Sequence, residues 1–231
     1  MTPCPRGSLP FLLLVAWGVL GVSCSRDDAV DAGRDDRPGQ GVTRDVKGGV
    51  EFADGFKRIR FEAERDGRIE SDDAHPDVGG KLMRVVDDAD ASGGKCIEVP
   101  DKAGTPIGKA GSKDDIARHA RAVYKVKVEA AGSYTFWCRR KWLDACGDTL
   151  AVRFDREGQP RDSKTEFLFG GSDSKPVRWA WSPVSEGGQP RQFYLSAGEH
   201  TMEILNLEDG PRFDVLVLTD DPGYVPQGKE E

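Results

Sequence analysis

The chain has 231 residues, of which 37% are hydrophobic and 32% charged, and its formal net charge is −7. That length suits one or two domains, and the balance suits a water-soluble domain with polar extensions rather than a membrane-embedded protein. Acids and bases alternate along most of the chain without a basic stripe, which argues against nucleic acid as a partner.

Residues 1–23 read as a targeting segment. Arg6 precedes an apolar run from Leu9 to Val22, broken by Pro10 and Gly18. The run is short for a membrane span and ends in small residues, as a cleavable signal does. Leu20-Gly21-Val22-Ser23-Cys24 resembles a bacterial lipobox, with Gly21 where leucine is usual. It implies acylation of Cys24 and a lipid anchor in the cell envelope, and ordinary secretion is the alternative. Residues 24–57 are expected to be a flexible tether. Stretches such as Arg34-Asp35-Asp36-Arg37-Pro38-Gly39 hold too little apolar surface to offset the entropy of ordering them. Its role would be reach.

From Arg58 to Tyr224 strand signals dominate. Phe61-Glu62-Ala63-Glu64 reads as a strand whose two glutamates share one face. Asp88, Asp90, Ser92 and Gly93 match the start of a calcium-binding helix–loop–helix loop, but Val99 takes the bidentate position, so a solvated acidic turn is expected. The paired glycines Gly93-Gly94 would permit a tight approach to the first strand. Ser112 to Arg121 could hold one helical turn. Ala122, Tyr124, Val126 and Val128 then alternate with Arg121, Val123, Lys125 and Lys127. Further strand signals lie at Tyr134–Cys138, Leu150–Phe154, Trp179–Trp181, Phe193–Leu195, Met202–Ile204 and Arg212–Leu218. Short strands separated by Gly-rich turns predict an all-β fold, an antiparallel β-sandwich over residues 58–224, with 225–231 as a disordered tail.

The carboxylates inside these apolar runs are the chemistry the sequence offers. A carboxylate in a buried strand is costly unless something positive pairs with it. The first and last strands are therefore expected to lie side by side and share a calcium ion. The alternative is that the glutamates face solvent or pair with Arg60 and Arg212. Trp142, in the irregular stretch Arg140–Ala145, is expected to be an exposed platform, and Asn206 to supply an amide from a nearby loop. Cys138 and Cys146 could bridge a strand to the following loop, leaving Cys96 as a buried thiol, although sequence alone does not fix the pairing. The histidines His75, His119 and His200 are scattered, and no Gly-x-Ser-x-Gly elbow, phosphate-cradling loop or zinc spacing is present. Catalysis is not expected.

Phe61-Glu62-Ala63-Glu64, Ala91-Ser92-Gly93-Gly94-Lys95, Ala131-Gly132-Ser133-Tyr134, Cys138-Arg139, Ala197-Gly198-Glu199-His200 and Phe213-Asp214-Val215 follow one another in an order that resembles carbohydrate-binding modules of families six and thirty-five. The resemblance implies a jelly-roll, galactose-binding-like sandwich that binds a polysaccharide or other glycan without catalysis. It implies Glu62, Glu64 and Asp214 as side-chain ligands of a structural Ca²⁺, with carbonyls of the Ser92 to Lys95 turn nearby. It also places a ligand-facing aromatic near Trp179; the alternative is that Trp179 and Trp181 share one strand face and fill the core. The pattern departs at Arg212, where the family commonly has asparagine, and at Arg121-Ala122, where it has an aromatic. A structural or protein-interaction sandwich of the envelope, with no sugar site, is the second expectation.

Overall fold

The computed structural model describes residues 45–46, 49–51, 55–71, 79–103, 120–144, 147–159, 164–171 and 177–229. All of them belong to one unit spanning residues 41–231. The targeting segment, Cys24, most of the tether, His75, residues 112–119 with His119, and Cys146 lie outside the described residues.

In chain order the elements are β1 (Asp45–Val46), β2 (Gly49–Glu51), β3 (Lys57–Glu62), one helical turn α1 (Ala63–Asp66), β4 (Arg68–Ser71), β5 (Arg84–Asp87), β6 (Lys95–Glu98), β7 (Ala120–Val128) and β8 (Gly132–Lys141). They continue as β9 (Thr149–Phe154), β10 (Phe167–Gly170), β11 (Trp179–Pro183), the small hairpin β12 (Ser185–Glu186) and β13 (Gln189–Pro190), β14 (Gln192–Leu195), β15 (Gly198–Asn206) and β16 (Arg212–Thr219). Two antiparallel sheets face each other, so the fold is the expected β-sandwich. One sheet runs β10-β9-β15-β7-β4. In the other, β16 lies at the centre, with β3 and β6 along one edge and β8 along the other; β11 and β14 in turn pair with β8. The first and last long strands are neighbours, with Val215 opposite Glu62.

Strand alternation builds the core. In β7, Tyr124, Val126 and Val128 are buried while Lys125 and Lys127 face water. These residues pack with Phe136, Cys138, Phe213, Leu216 and Leu218 of the facing sheet. Each fully buried apolar side chain of this size contributes about 1.5–3 kcal/mol. On the outer face of the second sheet, Trp137, Val215 and Val217 form a smaller cluster with Trp181 and Tyr224.

Three expectations about the chain need correction. β1 and β2 form a hairpin that continues the second sheet past β3, so the sheet reaches into the stretch taken as tether. Val225–Lys229 is no loose tail. Pro226 is buried, and the Gly228 carbonyl accepts hydrogen bonds from Arg139 Nε and Trp181 Nε1, each at 3.1 Å. Cys138 is a free thiol, buried in the core, and makes no bridge to Cys146. The period of two that turns Phe136 inward also turns Cys138 into the core. Cys96 is buried and free as expected, and burial pushes its thiol up to about 12.

Candidate functional site

β3 does not continue through Glu64. It ends at Glu62, and the chain makes a single helical turn from Ala63 to Asp66. The Asp66 carboxylate accepts the Glu62 amide at 2.7 Å, and the buried Tyr124 hydroxyl donates to the Ala63 carbonyl at 3.0 Å. The two glutamates therefore do not share a strand face. The turn nonetheless returns Glu64 to the carboxylate of Glu62.

Asp214 arrives from the other end of the chain through a β-bulge. Phe213 pairs with Arg140 and Leu216 with Cys138, so β16 carries one more residue than β8 between those points. Phe213 and Leu216 both enter the core while Val215 joins the outer cluster. Asp214, fully buried, meets the outward-facing Arg139.

Glu62, Glu64 and Asp214 each present a carboxylate oxygen, and these oxygens lie within 4.8 Å of one another. Two of the three groups are oriented by the protein. Glu62 Oε1 accepts from Ser92 Oγ at 2.8 Å and from Arg60 Nη2 at 2.7 Å. Asp214 Oδ2 accepts from the Ser92 amide at 2.9 Å and from Arg139 Nη1. Glu62 Oε2, Glu64 Oε2 and Asp214 Oδ1 are buried and have no hydrogen-bond partner among the described residues. A buried carboxylate oxygen without a partner is costly, and three clustered carboxylates that each carry one suit a hard cation that takes monodentate carboxylates. Burial pushes the Glu64 carboxyl above its usual range, and the charges of Glu62 and Asp214 push it further. Burial raises Asp214 as well, against the pull of the Ser92 amide and Arg139, with Glu62 adding to the rise.

The Ser92 turn is built for this place. Gly93 and Gly94 have φ of +62° and +76°, the left-handed region that side chains rarely adopt. Their glycines are required by backbone conformation rather than by crowding, since a Cβ at Gly93 would meet only Glu64 Oε1, at 3.7 Å. The preceding acidic turn is not simply solvated. Asp88 accepts from Lys141 at 3.0 Å and from Arg212 at 3.1 Å. Arg212 also pairs with Glu98 at 2.7 Å, so Glu62 pairs with Arg60 and Arg212 is committed elsewhere.

Beside this cluster the outer face carries a groove of about 460 Å³ between β8, β11 and the C-terminal strap. Trp181 pairs with Arg139 and Trp179 with Lys141, so both tryptophans share the face of Trp137. Trp179 and Trp181 are half-buried, and Arg139 lies over the Trp179 ring at 4.8 Å. Trp179 thus lines this groove.

Trp142 and Asn206 do not reach it, and neither is a surface group. Trp142 is 1% exposed and lies in the main core, where Arg140 stacks on its ring at 4.6 Å. Gly170, at φ +101°, closes over it, and a Cβ there would stand 2.7 Å from Trp142 Cζ2. Asn206 is fully buried at the end of β15, where its Oδ1 accepts the Ala120 amide at 3.0 Å and its Nδ2 donates to the Ala103 carbonyl at 2.8 Å. It closes the end of the sandwich instead of offering an amide to a ligand. Arg139 is part of the Cys138-Arg139 match in the sequence but is given no role there. The signal was its alternation with Trp137 and Lys141 on one strand face.

His200 also acquires a defined place. Its Nδ1 lies 2.7 Å from Asp155 Oδ2 and its Nε2 lies 2.9 Å from the Ser196 carbonyl. Both nitrogens face acceptors, which favours the imidazolium. Burial works against that charge, but Asp155 and the Ser196 carbonyl outweigh it and the His200 pKa is raised. With both nitrogens engaged, the ring is a clasp between β15 and the turn that follows β9.

No protein-family model and no curated protein sequence matches the chain. Among solved structures it is similar to carbohydrate-binding modules of families 35 and 6. A family 35 module from Clostridium thermocellum shows 13% identity and a TM-score of 0.45, covering 70% of this chain and 96% of that one. The C-terminal family 6 module of the laminarinase LamC from Zobellia galactanivorans shows 12% identity and a TM-score of 0.42, covering 70% and 98%. A β-(1,4)-mannanase from Podospora anserina that carries a family 35 module shows 14% identity and a TM-score of 0.45, and this chain spans 29% of its length.

Proposed function

We propose that this chain is a non-catalytic glycan-binding module, stiffened by one structural calcium ion and held at the cell envelope by lipid on Cys24. The observation that carries the reading is the set of three buried carboxylate oxygens from Glu62, Glu64 and Asp214 without hydrogen-bond partners. Calcium takes six to eight oxygens, and these supply three, with carbonyls of the Ser92 turn and water as the further hard donors. The ion ties the start of the sheet to its last strand. Beside it, Trp179 and Trp181 offer flat apolar faces for a pyranose, and Gln227 with strap backbone groups offers partners for hydroxyls. The lipid anchor is supported by the Val22-Ser23-Cys24 sequence.

A polysaccharide panel read by tryptophan fluorescence in millimolar calcium tests this reading. A saturable shift lost in Trp179→Ala is expected. No response to any glycan would favour an envelope sandwich without a sugar site. Mass spectrometry of the chain from bacterial membranes tests the anchor, which requires a diacylglyceryl mass on Cys24.

A further inference from the structure

The strap Val225–Lys229 and the carboxylate cluster share residues. Arg139 donates Nη1 to Asp214 Oδ2, Nη2 to the Asp90 carbonyl at 3.1 Å and Nε to the Gly228 carbonyl at 3.1 Å. Lys229 Nζ donates to the Ala91 carbonyl at 3.3 Å. Asp90 and Ala91 lead directly into Ser92, whose amide and hydroxyl orient Asp214 and Glu62. The loop that sets two of the three carboxylates is thus the loop on which the strap is fastened. The strap's other contact, Gly228 with Trp181 Nε1 at 3.1 Å, makes it one wall of the tryptophan groove.

We infer that the strap is a cation-linked latch: ion binding at Glu62, Glu64 and Asp214 and docking of Val225–Lys229 on the groove reinforce each other through Arg139 and the Asp90–Ser92 loop. The inference rests on the calcium reading above. Its physical basis is preorganisation. An ion between the carboxylates fixes Asp214 and the Ser92 loop, which presents Arg139 Nε and the Ala91 carbonyl to the strap. A docked strap in turn holds the loop in the position the ion needs. Linkage makes the effect reciprocal, and coupling of this kind commonly amounts to about 5–150-fold. One consequence is that the ion shapes the groove wall without touching a ligand in it.

Two measurements with calcium as the probe test the latch. In the full chain, hydrogen exchange of the peptide covering residues 225–229 should slow at least about fivefold on saturation with calcium. Deletion of residues 225–231 should weaken calcium affinity by a similar factor, and Lys229→Ala should weaken it in the same direction. The Lys229→Ala chain and the exchange experiment both retain the strap, so they decide the matter even where the deletion fails to fold. Exchange that is unchanged or faster with calcium bound, or affinities within about twofold in both variants, would overturn the latch while leaving the calcium site standing. Failure of the full chain to bind calcium would overturn both.

Discussion

Replacing Glu64 by glutamine removes one charge from the carboxylate cluster and nearly preserves shape. The three carboxylate oxygens lie within 4.8 Å of one another. At an effective dielectric of about 20 that separation corresponds to at least about 3.5 kcal/mol of repulsion per charged pair. Arg60 and Arg139 offset part of it, through Glu62 and Asp214 respectively; Glu64 has the raised carboxyl and a buried oxygen without a partner. Without a cation, Glu64→Gln therefore relieves strain, and the variant in EDTA should melt no lower than the parent in EDTA. With a cation the order reverses. A ligand at a hundred times its Kd stabilises the folded state by about 2.7 kcal/mol. For a domain of this size each kcal/mol moves Tm by about 2–4 °C, so the parent should gain about 5–11 °C in calcium. Glu64→Gln should gain little. Differential scanning calorimetry of both proteins in EDTA and in calcium reads all four values. A variant that keeps the parent's gain in calcium, or that melts several degrees below it in EDTA, would refute the reasoning.

The remaining predictions concern other parts of the molecule. Trp142→Ala should cost about 3–5 kcal/mol of stability, as loss of a buried aromatic does, whereas Trp179→Ala should cost less and act on glycan binding; urea melts alongside fluorescence titrations separate the two. Asn206→Ala strands a buried amide and a buried carbonyl and should cost at least about 1–3 kcal/mol in the same melts. The His200 clasp gives a pH dependence. Its folded pKa is raised, so its contribution is complete below the unfolded value of about 6.5 and is lost as pH rises through the folded value. Asp155→Asn, which keeps a residue type tolerant of the φ of +53° at that position, should therefore narrow its stability deficit at pH 9 relative to pH 5.5. Cys96 and Cys138 should resist a thiol reagent in the native chain and react on denaturation without prior reduction, because both are buried and free.

The sandwich was legible because alternating residues such as Tyr124, Val126 and Val128 can bury one face only as strands. The three cluster carboxylates were legible for a related reason, since an acid inside an apolar run needs a positive partner. Their geometry was not. The helical turn after Glu62 depends on Asp66 and on a tyrosine about sixty residues away, and the bulge at Asp214 depends on the partner strand. Trp142 looked like a loop residue because Arg140, Lys141 and Asp144 surround it. Arg140 is fully buried against it and donates to Ser182 Oγ at 2.9 Å, a partner from β11 that local polarity conceals. The strap was illegible because Val225–Lys229 has no periodicity. Its order comes from Arg139 and Trp181, whose side chains reach it from the sheet.

The proposed cation is held where the first and last long strands of the sheet lie side by side. Crystals of the chain grown in calcium, with an anomalous difference map collected at long wavelength, test it most directly. One peak is expected about 2.3–2.6 Å from an oxygen of each of Glu62, Glu64 and Asp214. A map with no peak there, while those carboxylates hold protons or water between them, would contradict it.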